Sequence, residues 1–211
     1  MRSWTTPIQR TSEHLVKLCL FGGTFDPPHN AHFIIAEAIR ESLDLSKIIF
    51  IPAYNPPHKY ERYEVTPVEH RIAMLKLCID DLPQFEFSDI ELKRGGVSYS
   101  IDTIRQVKEE RGISAEDIHF LIGSDSLADF KSWHRWEDIL RESRVIVARR
   151  PRFEASDIDD DLLKQVQFLN LPRMEVSSSE IRERFYTDQM TRFYVPEVVS
   201  NYIKDHNIYR D

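Results

Sequence analysis

Short apolar runs recur along this chain, with a helix-length stretch between most neighbouring pairs. LVKLCLF (15–21), KIIFIP (47–52), FEFSDIEL (85–92), IHFLIG (118–123), RVIVARRP (144–151) and QFLNL (167–171) read as strands. HFIIAEAIRESL (32–43) puts Ile35, Ala38, Ile39 and Leu43 on one helical face. PVEHRIAMLKLCIDDL begins at Pro67, which a first helical turn tolerates, and reads as a second helix. SYSIDTIRQVKEERG (98–112) spaces Ile101, Ile104 and Val107 for a third, with Gly112 as its stop. SSSEIRERF and VPEVVSNYIKDH close the chain as two more helices. Strands alternating with helices predict an α/β fold, a parallel sheet with helices on both faces. No repeat or linker interrupts it, so one domain is expected over 15–211, behind a polar lead-in at 1–14. RPRFEASDIDDD (150–161) reads as the most mobile loop.

Composition narrows the functions available. Hydrophobic residues make up 41% of the 211 and charged residues 30%, the balance of a soluble globular chain. No apolar run approaches the roughly 18 residues a membrane helix needs, and MRSWTTPIQRTSEH lacks the apolar core of a signal peptide. No membrane association is therefore expected. With 28 Lys and Arg against 35 Asp and Glu, the formal charge is −7, which argues against a nucleic-acid binder. A small anionic ligand is compatible with that charge where a few cations and backbone N–H groups override the global field. Cys19 and Cys78 both sit in apolar settings and read as buried free thiols rather than a disulfide, which fits a reducing cytoplasm.

The stretch GGTFDPPHNAH (22–32) begins where the first strand should end. Ligands of open parallel sheets bind at the carboxyl ends of strands. Gly22 and Gly23 let backbone approach a ligand. Thr24 and Phe25 offer backbone N–H groups, and the helix that His32 opens favours an anion at its N-terminus. The pattern matches neither common glycine-rich phosphate motif. Taken alone, the glycine pair also fits a tight turn. His29 and His32 also fit packing or capping roles. A metal site fits them poorly, because no Glu lies between them and no third ligand is near. Two imidazoles at the mouth of a phosphate-type loop favour a functional reading.

GGTFDPPHNAH resembles the nucleotidyltransferase signature Gly-x-Phe-Asp-Pro-x-His-x-Gly-His, and is similar in particular to the bacterial nicotinate-mononucleotide adenylyltransferase family. The resemblance runs from residue 18 to about 203. NPPHK (55–59), GVSYSIDT (96–103), IGSDSL (122–127), a W-x-x-W at 133–136, ARRP (148–151) and VSSSEIR (176–182) follow in the family order. Four positions depart from the family: Ala31 replaces glycine, Ser100 and Ser179 replace threonine, and His134 stands where tyrosine is expected.

The resemblance implies a Rossmann-like transferase that joins ATP and nicotinate mononucleotide into nicotinate adenine dinucleotide and releases pyrophosphate, as a step of NAD biosynthesis. His32 would hydrogen-bond the α-phosphate and His29 its neighbours. Gly22, Gly23, Thr24 and Phe25 would cradle phosphate. His58, Lys59 and Arg182, with Ser178 and Ser179, would meet the triphosphate. Ser100, Thr103, Asp125, Trp133 and Arg149 would hold the mononucleotide, Trp133 over its ring and Asp125 on its ribose. Trp136 reads as packing, Arg71 and Met74 as architecture, and Asp26 as a brace using its own loop's backbone. SSSE (177–180) fits a reciprocal capping box. Mg²⁺ would arrive with ATP, without a metal site of the protein's own. A homo-oligomer is compatible with all of this. Two rivals remain: a transferase of the same fold using phosphopantetheine or a cytidine nucleotide, and a non-catalytic nucleotide-binding regulator.

Overall fold

A computed structural model describes residues 16–55, 65–149, 158–172 and 174–210. The lead-in at 1–14, His58, Lys59 and the 150–157 part of the expected mobile loop lie outside the described residues. Six strands form one parallel sheet: β1 (Leu18–Gly23), β2 (Lys47–Pro52), β3 (Phe85–Phe87), β4 (Ile118–Gly123), β5 (Arg144–Ala148) and β6 (Gln167–Leu169). Their order is β3-β2-β1-β4-β5-β6. The chain builds outward from β1 in one direction, then crosses back to β4 and builds in the other. β1 and β4 therefore meet at the switch in strand order, where a crevice opens at the carboxyl ends. Leu18 pairs with both Lys47 and Ile118.

The pleat explains why the runs are apolar throughout. Leu18 and Leu20 join a core cluster on one face, with Ile104, Ile122 and Val147, while Cys19 faces the other with Ile39, Phe50 and Ile146. Both faces are covered by helices, so the central strands are almost continuously apolar, with the buried His119 of β4 an exception. Burying each such aliphatic side chain contributes roughly 1.5–3 kcal/mol before chain entropy is set against it.

The helices that position the site are α1 (Asn30–Ser42), α2 (Val68–Ile79), α4 (Ser100–Arg111) and α8 (Ser178–Tyr186). Short helices α3 (Ile90–Arg94), α5 (Ser124–Ala128), α6 (Trp136–Glu142) and α7 (Asp160–Leu163) fill connections, with one 3₁₀ turn at Phe130–Ser132. α9 (Glu197–Asp205) packs on α2 and α8 in a third cluster that includes Met74, Ile181, Phe185, Val199, Ile203 and Ile208.

Two expectations need correction here. FEFSDIEL is a strand only as far as Phe87. Ser88 and Asp89 turn the chain, with the Ser88 hydroxyl accepting from Ile90 N at 3.4 Å, and Ile90 onward is helical. The end of the 150–161 stretch is also ordered, because the Asp159 carboxylate caps α7 by accepting from Asp161 N and Leu162 N.

Candidate active site

β1 ends at Gly23, whose carbonyl accepts from Ala53 N at 2.9 Å. A Cβ at Gly23 would stand 2.9 Å from the Phe25 ring, whereas one at Gly22 would meet nothing within 4 Å. Only the second glycine is sterically required. Phe25 adopts φ 50°, in the left-handed region, and sends its ring into the core against Phe21, Phe50 and His32. That buried ring pays for an unfavourable backbone turn, and the turn starts the phosphate-type loop.

The loop is fastened from several directions. Asp26 is 0% exposed. Its carboxylate accepts from Thr66 N at 3.2 Å and from the Tyr209 hydroxyl at 2.5 Å. Asp26 was expected to brace its own loop through local backbone; it joins two distant segments instead. Arg182 donates to the Asp26 carbonyl at 2.7 Å, and Ser178 to the Pro27 carbonyl at 2.9 Å. Ser179 accepts from the other end of the Arg182 guanidinium at 3.2 Å. The start of α8 thus docks on the loop. Its Ser177 cap accepts from Glu180 N at 3.2 Å. The reciprocal half of the capping box is replaced, because the Glu180 carboxylate accepts from Arg184 at 3.1 and 3.2 Å.

His29 caps α1 with an extended backbone, φ −144° and ψ 165°. Its N–H donates to His32 Nδ1 at 3.1 Å, and the two rings stack with centroids 3.6 Å apart. An Nδ1 that accepts leaves the proton of the neutral imidazole on Nε2. His32 therefore presents an N–H donor, and its ring is oriented by the backbone of the other histidine. Asn30 ties this helix start to the segment before α9, through Tyr194 O and Phe193 O, both at 2.9 Å. Ala31 is buried in the first turn of α1, so the methyl that replaces the family glycine is accommodated.

Arg71 is architectural, as the sequence suggests, and the structure shows how. It is 2% exposed and donates to Thr24 O at 2.8 Å, Ala53 O at 3.0 Å and Thr66 O at 3.0 Å. One guanidinium holds the exits of β1 and β2 together. The sequence signal was available: Arg71 shares its helical face with Met74, Leu75 and Ile79, all buried.

The residues expected at the mononucleotide lie across the crevice, at the ends of β4 and β5 and the start of α4. Asp125 is exposed in the first turn of α5, which Gly123 rather than Asp125 caps. Arg149 is exposed just past β5. Ser100 opens α4. Thr103, one turn on, is 2% exposed; its hydroxyl donates to Glu91 at 2.7 Å and accepts from Arg94 at 2.9 Å. That side chain is committed to the protein, so Thr103 can serve a ligand only by fixing the backbone of α4. Ser98, missed as a site residue, accepts from Tyr54 N at 3.1 Å and Asn55 N at 3.2 Å, clipping the β2 exit to the start of α4. Trp133 is half-buried against Phe130 and Phe120, and Trp136 packs on Phe130. The exposed His134 ring lies 4.4 Å from the Tyr99 ring, beside the start of α4. The departure from tyrosine therefore leaves an aromatic contact in place.

Both cysteines are free thiols, and burial pushes each up to about 12. Neither is a nucleophile near neutral pH.

Comparison with known proteins bears on this arrangement directly. A cytidylyltransferase-like family model matches residues 20–184. A probable nicotinate-nucleotide adenylyltransferase of Salinibacter ruber is 37% identical, over 90% of this chain and 96% of the relative. One of Dehalococcoides mccartyi is 38% identical, over 92% and 97%. The chain belongs to the nicotinate-nucleotide adenylyltransferase family. Among solved structures, a Plasmodium falciparum nicotinic acid mononucleotide adenylyltransferase complexed with NaAD superposes with a TM-score of 0.75 at 23% identity, covering 92% of this chain and 97% of that one. That likeness establishes the shared fold. In this chain the β1 loop, α1 and α8 converge at the switch in strand order.

Proposed function

We propose that this adenylyltransferase transfers the adenylyl group of ATP to nicotinate mononucleotide, producing nicotinate adenine dinucleotide and pyrophosphate for NAD biosynthesis. The observation that carries the reading is the β1 loop. It joins an oriented His29–His32 pair to an Arg182 guanidinium through the shared backbone of Asp26 and Pro27. Such an array is built for phosphate: neutral N–H donors, one fixed cation and the start of a helix.

In the reaction a phosphate oxygen of the mononucleotide attacks the α-phosphorus of ATP in line. The bond from that phosphorus to the bridging oxygen breaks, and its electron pair leaves on pyrophosphate. The attacking oxygen is already anionic, so no general base and no covalent enzyme intermediate are required. Catalysis is positioning plus charge stabilisation. His32 donates from Nε2 to an α-phosphate oxygen, and His29 serves the adjoining phosphates. Arg182 and Ser179, with His58 and Lys59, receive the charge that moves onto the leaving group, while Ser178 holds the loop through the Pro27 carbonyl. Mg²⁺ carried by the nucleotide would offset part of the charge on its phosphates. The groups around the loop are donors, suited to phosphate oxygens rather than to a cation.

The acceptor sits against Trp133, with Ser100, Asp125 and Arg149 near its ring, ribose and phosphate. Backbone N–H groups at the start of α4 favour a pyridine carboxylate over an amide, whose NH₂ would face other donors. Leaving such groups unmatched costs roughly 1–3 kcal/mol each. No helix among the described residues is long and apolar enough to cross a membrane, and with two free thiols we place the enzyme in the cytoplasm.

Pyrophosphate release from ATP, measured over a panel of acceptors, tests the reading. Nicotinate mononucleotide should exceed nicotinamide mononucleotide by at least ~10-fold in kcat/KM, the ratio that about 1.4 kcal/mol gives. Preference for phosphopantetheine would reject the acceptor, pyrophosphate release from CTP in place of ATP would reject the donor, and no release from either nucleotide with any acceptor would reject the transferase.

A further inference from the structure

The segment after α9 reaches the β1 loop. After α9, Ile208 docks in the apolar cluster formed by α2, α8 and α9, and its N–H donates to Ile203 O at 2.9 Å. Tyr209 follows with φ 61°. An aromatic residue in the left-handed region persists only where surrounding contacts over-determine it, and such residues gather at functional positions. Its ring packs beside Phe185 of α8, at 6.1 Å between centroids. Its hydroxyl donates at 2.5 Å to the fully buried carboxylate of Asp26, 183 residues away in the sequence. Thr66 N bonds the other oxygen of the Asp26 carboxylate.

Asp26 is also the residue whose carbonyl receives Arg182, and it lies three residues before the histidine that orients His32. Its side chain is thus held by the segment after α9 and its carbonyl by α8. Without the phenol, one oxygen of a buried carboxylate loses its strongest donor, and the loop between Phe25 and His29 is free to shift. A displacement well under an ångström there moves both imidazoles relative to Arg182. We propose that Tyr209 is a positioning residue for adenylyl transfer: acting through Asp26, it sets the loop that aligns His29, His32 and Arg182 on the reacting phosphates. This rests on the adenylyl-transfer reading above. Burial and the neighbouring carboxylate push the phenol well above its ordinary value, so it remains a donor throughout the working range of pH.

The test uses the full chain with ATP, Mg²⁺ and nicotinate mononucleotide. Tyr209→Phe deletes one oxygen and keeps the ring. We expect kcat to fall about tenfold, with KM for the mononucleotide within about twofold and a thermal midpoint lowered by only several degrees, so that the enzyme is fully folded at the assay temperature. Replacing Tyr209 by 4-aminophenylalanine restores a donor at the same place and should recover most of the loss. In a His32→Ala background the added effect of Tyr209→Phe should shrink to about twofold or less, because the group it aligns is gone. Overturning results are a kcat within twofold of the parent, a loss explained by a lowered thermal midpoint and not rescued by the amino analogue, or a full tenfold loss persisting on the His32→Ala background. A parent enzyme inactive with nicotinate mononucleotide would overturn the functional reading instead, which keeps the two failures distinct.

Discussion

The two sides of the crevice are built from different materials. On the β1 side, Thr24, Phe25, Asp26 and His29 are all buried. Arg71, Arg182, Ser178 and Tyr209 fasten that loop through backbone carbonyls and one carboxylate. On the β4 side, Asp125, His134 and Arg149 are exposed and Trp133 is half-buried against other rings, while hydrogen bonds of Ser98 and Thr103 fix the backbone at the start of α4. The two tasks proposed for these sides account for the difference. Where charge redistributes between phosphates, donors must be in place beforehand, because reorganising them during the reaction would cost the stabilisation they provide. Where an acceptor enters and leaves, side chains must stay accessible, and selection can rest on shape and stacking.

If this contrast is right, damage on the first side should appear in turnover and damage on the second in acceptor binding. The largest effect belongs to His32→Ala, which removes a preorganised donor from the reacting phosphate and should lower kcat by about 10²-fold or more with the fold intact. A change within threefold would break the comparison at its strongest point. Arg182→Lys keeps the charge but loses the planar fork that spans Asp26 O and Ser179 Oγ. We expect kcat/KM for ATP to fall about tenfold, with the thermal midpoint near the parent's; a large stability loss with normal kinetics would instead make Arg182 a structural surface residue. Smallest in its effect on turnover is Trp133→Ala. KM for the mononucleotide should rise roughly five- to tenfold while kcat stays within about threefold, as loss of a stacking face implies. A kcat loss as large as that of His32→Ala would erase the distinction between the sides.

How much of this was written in the sequence depends on the range of each contact. β2 and β4 have the boundaries their apolar runs predict, and α4 stops at Gly112, which is left-handed with φ 61°. The β1 loop was legible because its residues are contiguous. Burial overrode the local reading elsewhere. Ser88 and Asp89 divide what looked like one strand, and Thr103 turns its hydroxyl to Glu91, a partner no spacing rule points to. Arg71 could have been singled out as a cation on an apolar helical face. Tyr209 could not, because a bond spanning 183 residues leaves no periodic trace. The acceptor side was legible mainly through resemblance, since exposed residues carry little pattern of their own.

The central claim is that the β1 loop carries out adenylyl transfer. Its most direct test is a single turnover with ATP labelled at the α-phosphorus, excess enzyme and nicotinate mononucleotide, run on the parent and on His32→Ala. In the parent, the label should pass entirely into nicotinate adenine dinucleotide with unlabelled pyrophosphate released. In the variant the same product should form about 10²-fold more slowly. Label remaining in ADP, or an unchanged rate of dinucleotide formation in the variant, would contradict it.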